Sequence, residues 1–218
     1  MVQSHLPRTP AMSPDVWHGL ERMRIVISEF ISLDGVVQAP GGRDEDRDGG
    51  FRHGGWSMRF FDPEVMGAAI DELSQSTDAL LFGRRTWLVM AGAWPNRAGD
   101  PFADWMNSVQ KYVVSHTLSD TDVTWEPTTI IRGADLMKEV SALRDQPGGY
   151  VNVMGSASLV RALLAADLVD ELSLMLEPIV LGGGKRIFPD NGEARVFELT
   201  SVTTANTGVQ VCRYQRAG

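Results

Sequence analysis

The sequence predicts an α/β domain, a mixed, mostly parallel sheet flanked by helices and closed by a C-terminal antiparallel hairpin. Three observations predict it. Short apolar runs recur at residues 24–31, 79–82, 111–115, 128–131 and 150–154, each of strand length. Stretches of helical periodicity lie between them, at 62–73, 86–90, 135–145 and 156–166. Strands alternating with helices imply parallel strands covered on both faces. Near the C-terminus, strand-like segments at 196–205 and 209–214 flank Asn206-Thr207-Gly208, a turn sequence.

Each element has its local reason. Arg24 to Ile31 is the first strand, turned by Ser32-Leu33-Asp34-Gly35. Residues 38–55 form a loop rich in Gly, Asp and Arg, and loops of this length in a compact domain are functional or mobile. Asp62-Pro63 starts a helix, with Asp as cap and Pro at the first position, and Val65, Met66, Ala69, Ile70 and Leu73 form its apolar face. Ala79 to Phe82 is the second strand, and a short helix begins at Thr86. Lys111 to Ser115 and Thr128 to Ile131 are the third and fourth strands. The helix over 135–145 turns Leu136, Val140 and Leu143 inward and stops at Pro147-Gly148-Gly149. Tyr150 to Met154 is the fifth strand, and a helix from Ser156 to about Ala166 follows it. Leu172, Leu174 and Leu176 alternate on a sixth strand.

Composition narrows the function. With 43% hydrophobic and 22% charged residues in 218, the chain is an ordinary globular one, long enough for one well-buried domain. We expect a flexible tail over residues 1–22, with Met23 as an alternative start, and one domain over 23–218. A net charge of −8 argues against nucleic acid as a partner, which calls for a basic face. No apolar run reaches the ~20 residues of a membrane span, and no secretory leader is visible. The single cysteine, Cys212, forbids an internal disulfide and fits a cytoplasmic setting. The histidines His5, His18, His53 and His116 are scattered, so no metal site is expected.

Several common motifs are missing. No G-x-G-x-x-G follows the first strand, which disfavours an ordinary Rossmann site. Gly182-Gly183-Gly184-Lys185 lacks the spacing of a P-loop, and there is no G-x-S-x-G elbow. Two other strand–glycine turns are present. Val151-Asn152-Val153-Met154-Gly155-Ser156-Ala157 reads as a strand, a tight turn and a helix start. Leu80-Leu81-Phe82-Gly83-Arg84-Arg85-Thr86-Trp87 reads the same way, with two arginines at the turn. Helix N-termini with small residues before them hold phosphates. Each turn also has a plain structural reading, a cap before Ala157 and a solvated helix start at Arg84-Arg85.

The order of Ser32-Leu33-Asp34-Gly35, Gly83-Arg84-Arg85-Thr86-Trp87, Val113-Val114-Ser115 and Met154-Gly155-Ser156-Ala157 resembles the dihydrofolate reductase-like superfamily. The closer resemblance is to the reductase domain of bacterial riboflavin biosynthesis and its stand-alone relatives. Leu168-Val169-Asp170-Glu171-Leu172, the run from Glu177 to Gly184, and Ile187-Phe188 support that branch. The resemblance implies a dihydrofolate reductase-like fold binding NADPH and acting on a small, flat or polar reducible substrate. It implies that Gly83, Arg84, Arg85 and Thr86 meet the cofactor phosphates, that Ser115 with His116 or Thr117 lies near the 2′-phosphate, and that Gly155, Ser156 and Ala157 cradle the pyrophosphate. It also implies a homodimer. Asp34 stands where the family places nicotinamide and substrate; it orients a substrate amide or hydroxyl, relays a proton, or is a turn aspartate bonding its own backbone. Trp56 walls the substrate pocket or anchors its loop. The alternatives in function are a genuine dihydrofolate or pterin reductase, with Asp71 and Glu72 on the corresponding helix, and a non-catalytic binding protein of the same fold.

Overall fold

The computed structural model describes residues 22–97, 99–188 and 190–218. The expected tail over 1–22 therefore lies outside the described residues, except for Arg22, which bridges Pro147 and pairs with Asp145 at 3.1 Å.

Eight strands form one sheet: β1 (Arg24–Ser32), β2 (Thr77–Gly83), β3 (Gln110–Val114), β4 (Thr128–Ile131), β5 (Tyr150–Val153), β6 (Glu171–Glu177), β7 (Phe197–Thr204) and β8 (Gln210–Arg216). Their order is β4-β3-β2-β5-β1-β6-β8-β7. The first six are parallel, and the C-terminal hairpin adds β8 antiparallel to β6 and β7 antiparallel to β8. The expected mixed sheet with its terminal hairpin is therefore the observed one.

Among the described residues five α-helices cover it: α1 (Ala68–Gln75), α2 (Arg84–Ala93), α3 (Pro101–Ser108), α4 (Leu136–Arg144) and α5 (Ala157–Ala165). Parallel strands buried on both faces read as continuous apolar runs, and β2 shows it from Ala79 to Phe82. Ala79 and Leu81 enter the cluster with α4 and α5, while Leu80 and Phe82 enter the cluster with Trp87 of α2 and Met106 of α3. A third cluster packs Met66 and the apolar face of α1 against Met175 and Val211. The Asp62 cap forms as expected, its Oδ1 accepting from the Glu64 and Val65 N–H groups at 3.0 Å. A wide π turn over Pro63–Gly67 precedes α1.

Helix α3 has no counterpart in the sequence reading. It is two turns long, starts at an Asp100-Pro101 cap and buries only Ala103 and Met106. Its C-terminal end is satisfied by Lys111, whose buried Nζ donates to the carbonyls of Met106, Asn107 and Val109. Three carbonyl acceptors make that burial tolerable, and desolvation lowers the ammonium pKa to about 8 against the pull of Glu126.

The connections create a crevice. From β2 the chain moves outward to β3, and from β5 it moves the opposite way, across β1 to β6. β2 and β5 are neighbours, so their C-terminal ends diverge, and ligands of open α/β sheets bind at such a point.

Candidate functional site

Both glycine turns of the sequence lie at this divergence. Gly83 ends β2 and Gly155 follows β5, and the Gly83 N–H donates to the Gly155 carbonyl at 3.0 Å. The approach leaves no room for a side chain on Gly83. A Cβ on Gly83 would lie 2.2 Å from Ser156 Oγ, although the Gly83 backbone itself is ordinary at φ −73°. Gly155 has φ +84°, where only glycine is comfortable.

Helices α2 and α5 begin at these turns, and neither has a side-chain cap. Their first N–H groups and positive dipole ends are thus left for a ligand. Ser156 Oγ is paired with Ser158 Oγ at 3.0 Å rather than with the helix, and Ala157 is buried. Thr86 Oγ1 stands 3.1 Å from the point a Gly155 Cβ would occupy. Arg84 is exposed at the start of α2 and has no ion pair among the described residues. Two adjacent uncapped N-termini, glycine surfaces and an available guanidinium fit an anionic dinucleotide.

Arg85 is differently placed. Its guanidinium pairs with Asp48 at 2.6 Å and lies 3.8 Å from Asp46. Lys185 reaches the same two acids, at 2.6 Å from Asp46 and 3.0 Å from Asp48. The long loop is thereby latched across the mouth by Arg85 on one side and Lys185 on the other. Gln38 holds its base, donating to the Asp46 and Asp48 carbonyls and accepting from the Lys185 N–H. A cleft of about 510 Å³ opens between residues 48–53 of this loop and 181–185.

Ser115 is buried beyond β3, where its Oγ accepts from the N–H groups of Thr117 and Leu118 at 3.2 and 2.9 Å, so it shapes a turn. His116 is exposed beside Gly133, on which a Cβ would clash with its ring. Trp56 is buried with Val36 and Leu181, and its Nε1 donates to the Gln38 carbonyl at 2.8 Å.

Asp34 is a clamp. Its carboxylate accepts from Ser32 Oγ, from the Leu181 and Gly182 N–H groups at 3.1 and 3.0 Å, and from Arg186 at 3.2 Å. Partial desolvation raises its pKa, but the hydrogen bonds from Leu181, Ser32 and Gly182 outweigh that and bring it to about 2. Such a group ties the β1 turn to the glycine run at 181–186 and holds no proton near neutrality. The α1 acids are also remote in role: Asp71 is exposed and Glu72 pairs with Arg213 at 3.1 Å.

Two buried carboxyls escaped the sequence reading. Glu177, sealed at the end of β6, accepts from Ser57 Oγ, and burial raises its pKa to about 7 against that hydrogen bond. Glu29, on β1, has an Oε1 with neither solvent nor a hydrogen-bond partner. The signal for Glu29 was available: it is a lone charge inside the apolar run Ile25 to Ile31. Among the described residues no three His, Cys, Asp or Glu side chains gather in a metal-holding group, and no helix is long and apolar enough to cross a membrane.

Sheet order, terminal hairpin and the glycine crevice define a dihydrofolate reductase-like α/β protein. The RibD C-terminal domain family model matches residues 24–211, and the chain belongs to that family. It is 28% identical over 197 residues to the YyaP protein of Bacillus subtilis strain 168, covering 88% of this chain and 94% of that one. Among solved structures it is similar to a putative riboflavin biosynthesis protein from Shewanella sp. PV-4. That match has a TM-score of 0.68 and 19% identity, covering 90% of this chain and 100% of the other. It is also similar to a dihydrofolate reductase from Enterococcus faecalis complexed with NADP(H), at TM-score 0.58 and 15% identity, covering 91% and 99%. The family match establishes the family, and the solved structures establish the fold.

Proposed function

We propose that this protein is an NADPH-dependent reductase of a small heterocyclic or similarly small reducible substrate. The observation that carries the reading is the pair of uncapped helix N-termini meeting at Gly83 and Gly155, with Arg84 exposed beside them. Gly83, Thr86, Gly155, Ser156 and Ala157 hold the pyrophosphate, and Arg84, with His116 beyond the neighbouring β3, takes the 2′-phosphate. Arg85, held by Asp48 and Asp46, serves by keeping the loop over the bound cofactor. A reduced nicotinamide supplies a hydride when bound. The chain's own residues orient the dinucleotide, and the loop latched by Arg85 and Lys185 excludes water. A cytoplasmic setting suits this chemistry and the lone, buried Cys212.

The test is a titration of purified protein with NADPH and with NADH. Charge-assisted bonds to the extra phosphate are worth roughly 1.5–3 kcal/mol each, so NADPH binds about tenfold tighter or better. Arg84→Ala removes most of that preference. Equal affinities for the two dinucleotides refute the assignment.

A further inference from the structure

One carboxyl at the crevice is paired with nothing. Ile27, opposite Val153, is the last β1 residue in register with β5. From Ser28 onward the backbone of β1 pairs with β6 and no longer with β5, and Glu29 lies opposite Leu174. Glu29 therefore sits just beyond the point where β5 leaves the sheet for the Gly155 turn. The residue as a whole is half-buried, but its Oε1 has no solvent contact and no partner among the described residues. A Cβ on Gly155 would lie 3.5 Å from that oxygen and 3.1 Å from Thr86 Oγ1. Glu29 and Thr86 thus flank the bare face of the glycine at the centre of the crevice.

The surroundings favour a neutral carboxyl. β6 presents Leu174, α2 presents Thr86, and the β5 turn presents Gly155. Burial raises the Glu29 pKa well above the usual range, and the negative charge of Glu45 on the long loop adds to it. An ionised carboxylate without a partner is costly in such a place, whereas a carboxylic acid keeps a proton it can give away. Asp34 is ionised and fully engaged, and Glu177 is sealed beneath Ser57.

We propose that Glu29 is the catalytic proton donor of this crevice, serving a substrate whose reducible bond joins carbon to nitrogen or oxygen. The inference rests on the reductase reading above. Reduction of such a bond adds two electrons and two hydrogens. The hydride brings the electron pair and one hydrogen to carbon. The π pair moves onto the heteroatom, which takes the Glu29 proton. One O–H bond breaks, one heteroatom–H bond forms, and the carboxylate left behind is reprotonated from water through Oε2, its oxygen that is not sealed.

Glu29→Gln keeps the shape and cannot give the proton. The infrared difference between parent and Glu29→Gln at neutral pH is expected to carry the C=O band of a protonated carboxyl, with and without NADPH. An ionised carboxylate there overturns the proposal. NADPH oxidation is then followed with a panel of cyclic imines, dihydropterins and small aldehydes. Turnover of whichever the parent reduces falls about a hundredfold in Glu29→Gln, the lower end for loss of a general acid, while the NADPH Kd changes by less than about threefold. Glu29→Asp, which keeps a proton, retains part of the turnover. Equal turnover in Glu29→Gln overturns the acid role, as does loss of NADPH binding in that variant or a parent that binds NADPH and reduces none of the panel. A parent that binds no NADPH sinks the reductase reading, and this proposal with it.

Discussion

Side chains of like chemistry part company here through their surroundings. Asp34 and Glu177 are both carboxyls at strand ends beside the long loop, one drawn down to about 2 by N–H and O–H donors, the other pushed up to about 7 by burial. Asp34→Asn loses the ion pair with Arg186 and weakens the hold on Leu181 and Gly182. We expect a stability loss of about 1–2 kcal/mol with NADPH affinity nearly unchanged, read from denaturant melts and cofactor titration. Unchanged stability would reduce Asp34 to an ordinary surface acid. For Glu177 the folded-state pKa lies above the ordinary 4.5, so the stability it supports is fully present below 4.5 and is lost as pH rises through about 7. The melting temperature of Glu177→Gln should therefore gain on the parent across that window. Parallel curves on both sides of it would show that Glu177 keeps its proton affinity unshifted.

At the level of elements, the legible parts were those with strong local signals. β1, β2, β5 and α5 were readable because apolar runs of strand or helix length are bounded by glycine or a cap, and the Asp62-Pro63 start was readable from two residues. Helix α3 was not, because two turns with two buried residues leave almost no periodicity, and Lys111, which completes it, looks like a surface charge in sequence. The glycine turns of the site were legible as turns. What the chain order hides is that they touch, since Gly83 and Gly155 meet only once β5 inserts between β2 and β1. The same reason hid Glu29, whose meaning depends on where β5 stops. That contact is testable at Gly83. Its backbone tolerates any residue, so Gly83→Ala isolates the close approach to Ser156 Oγ at 2.2 Å from backbone strain. We expect about 1–3 kcal/mol of destabilisation from overpacking and at least a tenfold weaker NADPH Kd as the two turns separate. Unaltered cofactor affinity would mean that the turns do not form one cradle.

On the scale of the whole molecule, the sheet ends at β7 in an edge that the described residues leave uncovered. The sequence offers two apolar segments for the homodimer that the resemblance implies, Leu172 to Leu176 and Val196 to Leu199, but β6 lies between β1 and β8, and its Leu172 and Leu174 are part of the core beneath α5. The support passes to β7. All but the first of its residues are exposed, with Leu199 at 54% and Val202 at 50%. The register shift between Leu199 and Ser201 puts Leu199 opposite Tyr214 and Val202 opposite Cys212. Tyr214 and Cys212 in turn lie opposite Leu172 and Leu174. Leu199 and Val202 therefore share the face of the sheet that α5 covers further in, and carry that apolar face past the last helix into solvent. The bulge disfavours simple strand-to-strand pairing at the edge, so we propose that two copies pack this face symmetrically. Light scattering over a dilution series should give a mass near twice 23.9 kDa, and Val202→Lys should return it to that of one chain. A single-chain mass at every concentration of the parent would leave the face without a partner copy and end the dimer proposal.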